Sequence, residues 1–135
     1  MIELPEVYLK NMIEAGKKVF PEEMCGLLGG EEKEGVRIVK EIYVLENQDH
    51  SREHFTMKPE DQLKAIKDMR KKGLVPLGNF HSHPETSARP SEEDKRLAYD
   101  RNASYMILSL MDQAHPVLKS FRISEDVVEE KIEYR

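Results

Sequence analysis

The order of predicted elements, α-β-β-α-β-α-β-β-β, describes an α+β domain in which helices flank a mixed β-sheet in a three-layer arrangement. Three observations carry that prediction. Two stretches, residues 5–20 and 58–73, repeat apolar residues at helical spacing and stop at a proline or a glycine. Around them lie apolar and β-branched runs of strand length, separated by short polar turns. The chain of 135 residues has the length of one domain, spanning residues 1–135, with enough core to fold without disulfides.

In the first helix Val7, Met12, Ile13, Gly16, Val19 and Phe20 fall roughly on one face, Pro5 suits the first turn, and Pro21 ends it. Residues 24–30 form a short apolar run closed by glycines, a buried strand, and the charged turn 31–35 joins it to a strand over 36–45. Residues 47–53 are polar loop, followed by a short extended piece at Phe55, Thr56 and Met57. Lys58, Pro59 and Glu60 open a helix that runs through Leu63, Ile66 and Met69. Residues 74–83 read as a strand running into a loop at Pro84, after which Ser91 is placed to cap a helix reaching about Tyr99. Residues 104–111 and 117–123 pair as a hairpin, and 127–134 form a final strand.

Composition narrows the function classes. The chain is 39% hydrophobic with a mean hydropathy of −0.66, and no apolar run reaches the roughly 18 residues that suggest a membrane span. The net charge of −5, with basic residues interspersed among acids, argues against nucleic acid as a partner. A single cysteine, Cys25, forms no internal disulfide, and the first residues lack the pattern of a signal peptide, so the expected location is cytoplasmic.

The stretch from His81 to Asp94 carries the chemistry. Residues two apart on a strand share a face, so His81 and His83 present two imidazoles side by side. Asp94 lies in the first turn of the helix that follows. Two nitrogens and a carboxylate oxygen make a tripod for one Zn²⁺ per chain, with the fourth tetrahedral position open, as catalytic zinc sites require. Zinc held in this way lowers the pKa of water from about 15.7 towards about 7. Taken alone, His-x-His occurs on surfaces by chance, and Ser91 with an acid three residues on is a common helix cap. The two roles of Asp94 are compatible, because a cap holds it rigidly on the first turn. Cys25 reads as a small core residue rather than a nucleophile. Nothing in the sequence brings His50, His54 or His115 to the tripod.

The chain resembles the JAMM (MPN+) metalloproteases. Their motif is an upstream Glu, then His-Ser/Thr-His-Pro, then, seven residues after the second His, Ser-x-x-Asp. Here it stands as His81-Ser82-His83-Pro84, Ser91 and Asp94, preceded by Glu23-Met24-Cys25-Gly26-Leu27-Leu28, which matches the family's Glu-x-Cys-Gly-Leu-Leu. The resemblance implies the JAMM/MPN fold, related to that of cytidine deaminases. It also implies Glu23 as general base and Ser91 as hydrogen-bond donor to the oxyanion, with His81, His83 and Asp94 on zinc. Glu22 is the other candidate base.

The resemblance further implies hydrolysis of an amide or isopeptide bond at the C-terminal Gly-Gly of a ubiquitin-like protein. Minimal prokaryotic members are associated with sulfur-carrier proteins, releasing an amino acid such as cysteine. The alternatives are a deubiquitinase-like isopeptidase acting on protein conjugates and a non-catalytic MPN scaffold. Scaffold members lack one or more ligands, and this sequence lacks none. A DNA-repair branch reads His-Asn-His-Pro-Ser-Gly, from which Ser82 and Glu85 depart. A monomer or a homodimer is expected.

Overall fold

The computed structural model describes residues 1–135. In chain order the elements are β1 (Ile2–Leu4), α1 (Glu6–Val19), β2 (Cys25–Lys33), β3 (Val36–Leu45), α2 (Pro59–Lys71), β4 (Val75–His83), α3 (Glu92–Arg96), β5 (Ser104–Ser109), β6 (Val117–Ile123), β7 (Val127–Glu130) and β8 (Ile132–Tyr134). All eight strands join one mixed sheet in the order β7-β6-β5-β4-β2-β3-β1-β8. The α+β class with helices against a mixed sheet is therefore as the sequence predicts.

β2 and β3 form an antiparallel hairpin through Glu34 and Gly35, both at positive φ (52° and 80°). That is the backbone a two-residue turn needs to match strand twist, and glycine supplies it at the second position without steric cost. β4 lies between β2, antiparallel, and β5, parallel, so the histidine strand is central rather than at an edge.

The two faces of the sheet do different work. On one, α1 buries Met12 against Phe80, Met106, Leu108 and Leu110, and Gly16 lets the helix approach, since a Cβ there would meet Leu110 at 2.9 Å. On the other, α2 seats Met69 over Gly29 at one end. The far end of that face carries His81 and His83, together with a smaller apolar cluster of Ala88, Ala103, Tyr105, Ile107, Phe121 and Ile123. Alternation along β4 thus puts Phe80 in the α1 core and its neighbour His81 on the opposite side.

Four segments differ from the sequence reading. β1 was not foreseen: three residues too short to show periodicity are held by parallel pairing to Arg37–Ile38 and to β8. The single final strand divides at Lys131, with β7 pairing β6 and β8 pairing β1, so one ribbon spans both edges of a sheet that curls round to meet it. The helix after Ser91 stops at Arg96 rather than near Tyr99, because Leu97 and Tyr99 are exposed and no apolar stripe continues it. Phe55, Thr56 and Met57 belong to no strand.

Candidate metal centre

β4 delivers His81 and His83 to one face at its C-terminal end, and both are buried. Asp94 arrives from the first turn of α3. The Nε2 atoms of the two imidazoles stand 3.1 Å apart, and Asp94 Oδ2 lies 3.3 Å from His81 Nε2 and 3.0 Å from His83 Nε2. His83 and Asp94 are fixed from behind by hydrogen bonds, whereas the buried Nδ1 of His81 has no partner. His83 Nδ1–H donates to the Ser87 carbonyl at 2.9 Å, which selects the tautomer with Nε2 free to accept. Ser91 N–H donates to Asp94 Oδ2 at 2.9 Å, and Asp94 N–H donates to Ser91 Oγ at 3.0 Å, a complete capping box that pins the carboxylate. Phe55 stacks on His81 with ring centroids 4.7 Å apart. Ser109 Oγ–H donates to the Thr86 carbonyl at 2.6 Å, anchoring the intervening loop.

Ligand atoms around a tetrahedral zinc, each about 2.0–2.2 Å from it, stand roughly 3.3–3.5 Å from one another. The observed 3.0–3.3 Å comes within a few tenths of an ångström of that spacing. Three acceptor atoms aimed at one point satisfy each other poorly through hydrogen bonds alone, so the donor set fits a small divalent cation. The protonation tendencies of the three groups differ: for His83 burial alone would lower the value, but its contacts with Asp94 and the Ser87 carbonyl carry it upward. Burial drives His81 below its ordinary value and keeps it neutral, the form that binds metal. Burial by itself would raise Asp94, but the His81 and His83 imidazoles against it hold its carboxyl well below the usual range when they carry the proton in the metal-free site.

Glu23 lies immediately before β2 and is 3% exposed. Two contacts place it. Met24 N–H donates to Ser82 Oγ at 2.8 Å, so the residue between the two histidines stitches the Glu23 segment to the metal strand. Asn47 Nδ2 donates to the Glu23 carbonyl at 3.1 Å and to the His54 carbonyl at 3.1 Å, while its Oδ1 accepts from Asp49 and Thr56 backbone N–H. Burial first, then the charges of Asp94, Glu93 and Glu53, push the Glu23 carboxyl up to about 9. Its Oε1 is buried without a hydrogen-bond partner.

Glu22, the other candidate base, turns outward to His50 at 2.9 Å. His54 and His115 are likewise exposed, bonded to Asp49 and Asp112, away from the tripod. Cys25 is fully buried opposite His81 in the β2–β4 register, and burial pushes its thiol up to about 12, so it packs as a neutral side chain. Glu23, His83 and Ser91 share the walls of one cleft of about 270 Å³ with Arg52, Glu53, Glu85 and Thr86, and an exposed ion pair at 3.4 Å joins Arg52 to Glu85. Ser82 and Asn47 were read only as a motif letter and a loop residue. Their hydrogen bonds to the Glu23 segment are what the fold adds.

Comparison with known proteins decides the family. The model of the prokaryotic homologs of the JAB domain matches residues 5–124. This chain belongs to the prokaryotic JAB family. A CysO-cysteine peptidase of Mycobacterium tuberculosis is 31% identical over 120 residues, covering 89% of this chain and 81% of that one. A desampylase of Pyrococcus furiosus is 32% identical over 91 residues, covering 67% and 61%. Among solved structures, a protein of Desulfitobacterium hafniense matches with a TM-score of 0.93 at 50% identity, over 100% of this chain and 93% of the other. A JAB1/MPN domain protein from Archaeoglobus fulgidus matches with a TM-score of 0.62 at 26% identity, over 99% and 95%. The fold is that of the JAB/MPN domain. No helix of this JAB-family chain is long and apolar enough to cross a membrane.

Proposed function

We propose that this JAB-family chain is a zinc peptidase that cleaves the amide bond after the C-terminal Gly-Gly of a ubiquitin-like or sulfur-carrier protein and releases an amino acid such as cysteine. The observation that carries the reading is the convergence of His81 Nε2, His83 Nε2 and Asp94 Oδ2, with His83 lining one cleft together with the buried Glu23 and Ser91. Zinc bound there supplies Lewis acidity towards the scissile carbonyl and towards the attacking water. Glu23 accepts the water's proton and later delivers it to the leaving amine; its buried position favours holding that proton between the two transfers. Ser91 Oγ already accepts from Asp94 N–H, so its own hydrogen is free for the oxyanion of the tetrahedral intermediate. A narrow, extended tail without side chains is the occupant this cleft suits, entering past the exposed Arg52–Glu85 ion pair. The likeness to the CysO-cysteine peptidase supports release of cysteine from a carrier, and the likeness to the desampylase supports the alternative, an isopeptidase acting on conjugates.

The test is metal analysis with turnover. Purified protein should hold about one Zn²⁺ per chain, and His81→Ala, His83→Ala and Asp94→Ala should each lose most of it. The loaded protein should release cysteine from a carrier ending in Gly-Gly-Cys and stop when the zinc is chelated. Full zinc retention in all three variants, or no release from any Gly-Gly carrier, rejects the reading.

A further inference from the structure

His81 and Asp94 also wall a second, smaller hollow that the proposed chemistry leaves unused. Its volume is about 50 Å³, and Phe55, Leu97, Tyr105, Ile107 and Ile123 make it mostly apolar. The Phe55 ring stacked on His81 forms part of the wall, so the hollow directly adjoins the ligand set. An apolar recess at the reacting centre gains nothing from an extended Gly-Gly tail, whose side chains are hydrogen atoms. On the substrate read above, the residue after the scissile bond is the nearest one with a side chain to offer.

We infer that this hollow receives the side chain of the released residue and selects for small ones, with Leu97 and Ile123 setting the limit. The inference rests on the Gly-Gly reading and deepens it. A cavity of this size holds roughly two or three groups as large as a water molecule. That is room for the side chain of alanine, serine or cysteine, whereas leucine and phenylalanine exceed it. The mostly apolar walls suit thiol and methyl groups, and Asn79, the one amide in the lining, is the polar group a hydroxyl would meet. Rejection of larger residues is steric, since the floor is the sheet itself: Tyr105 and Ile107 project from β5, whose backbone pairs on both sides.

The experiment measures kcat/KM on one carrier protein ending in Gly-Gly-X, with X varied through Cys, Ala, Ser, Leu and Phe. The zinc-loaded wild type should cleave Cys and Ala within about tenfold of each other, and Leu and Phe at least about tenfold more slowly. Leu97→Ala and Ile123→Ala should raise Leu and Phe relative to Ala by a similar factor while zinc content stays at the wild-type level. Affinities of the same tails for zinc-loaded Glu23→Gln, read by calorimetry, should follow the same order. Ile123 is buried and its truncation risks the fold, but Leu97 is 44% exposed and its variant keeps the test open. Cleavage that is indifferent to X, or a folded, zinc-loaded Leu97→Ala with unchanged preference, overturns the inference and leaves the Gly-Gly reading standing. Failure to cleave any Gly-Gly-X overturns both.

Discussion

Replacing Glu23 by glutamine keeps the shape of the side chain and removes its titration, which makes it a probe of the electrostatics around the metal site. In the metal-free protein the folded carboxyl sits at about 9 against an ordinary value of 4.5. Between those values the native state holds a proton that the unfolded chain releases, so stability falls as pH rises from 4.5 to 9 and is level outside that window. At pH 7 the carboxyl is two and a half pH units above its unfolded value, at about 1.4 kcal/mol each, a penalty of about 3 kcal/mol. That figure depends only on the folded value lying above 7. Glutamine escapes it. For a domain of this size 3 kcal/mol corresponds to about 10 °C in Tm. Thermal unfolding of metal-free Glu23→Gln and wild type should therefore nearly coincide at pH 5 and separate by about 10 °C at pH 7, the variant being the more stable. Excess zinc should narrow the gap, because a divalent cation nearby favours the ionised carboxylate. A gap that does not change between pH 5 and 8 in the metal-free protein refutes the reasoning.

Ser91→Ala should retain zinc and lose roughly 10²–10³-fold in kcat if the hydroxyl serves the oxyanion. Loss of its cap on α3 should also lower stability by about 1 kcal/mol, measurable in the same preparation by denaturant titration. Asn47→Ala strands the Glu23 and His54 carbonyls and should destabilise the fold by roughly 1–3 kcal/mol. Since it frees the Glu23 segment and touches no ligand, kcat should fall while zinc content and KM hold; a matching loss of zinc would assign Asn47 a purely structural role. On the substrate side, a carrier whose penultimate Gly is replaced by Val should resist cleavage, and equal turnover of the two tails would point to a broad peptidase.

The grouping of His81, His83 and Asp94 was legible because its logic is local. A period of two along β4 is enough to pair His81 with His83, and a serine cap is enough to place Asp94 on the first turn of α3. The long apolar runs gave the central strands for the same reason. What escaped is what tertiary pairing makes. β1 has three residues and no pattern of its own; it exists because Arg37–Ile38 and Ile132–Tyr134 flank it. Lys131 looks like any strand residue, and only the position of two separate sheet edges turns it into a break. Asn47 has the composition of a turn, and its buried role depends on carbonyls from Glu23, Ser51 and His54 that folding brings to one amide. The hollow beside His81 is of the same kind, drawn from residues as distant as Phe55 and Ile123.

The ribbon that joins the two sheet edges has a consequence for β1. One of its two neighbours is β3, and the other, Ile132–Tyr134, comes from a segment far away in sequence. Without that second partner its outer backbone groups are bare, and a bare strand edge is a template for any other chain with extended backbone to offer. Arg135 fastens the closure, its N–H donating to the Leu4 carbonyl at 3.0 Å and its guanidinium meeting Glu3 at 2.6 Å. Local opening of Ile132–Tyr134 therefore leaves the His81, His83 and Asp94 grouping in place and removes the strand that shields β1. It is this opened edge, rather than the closed sheet, that is exposed to aggregation.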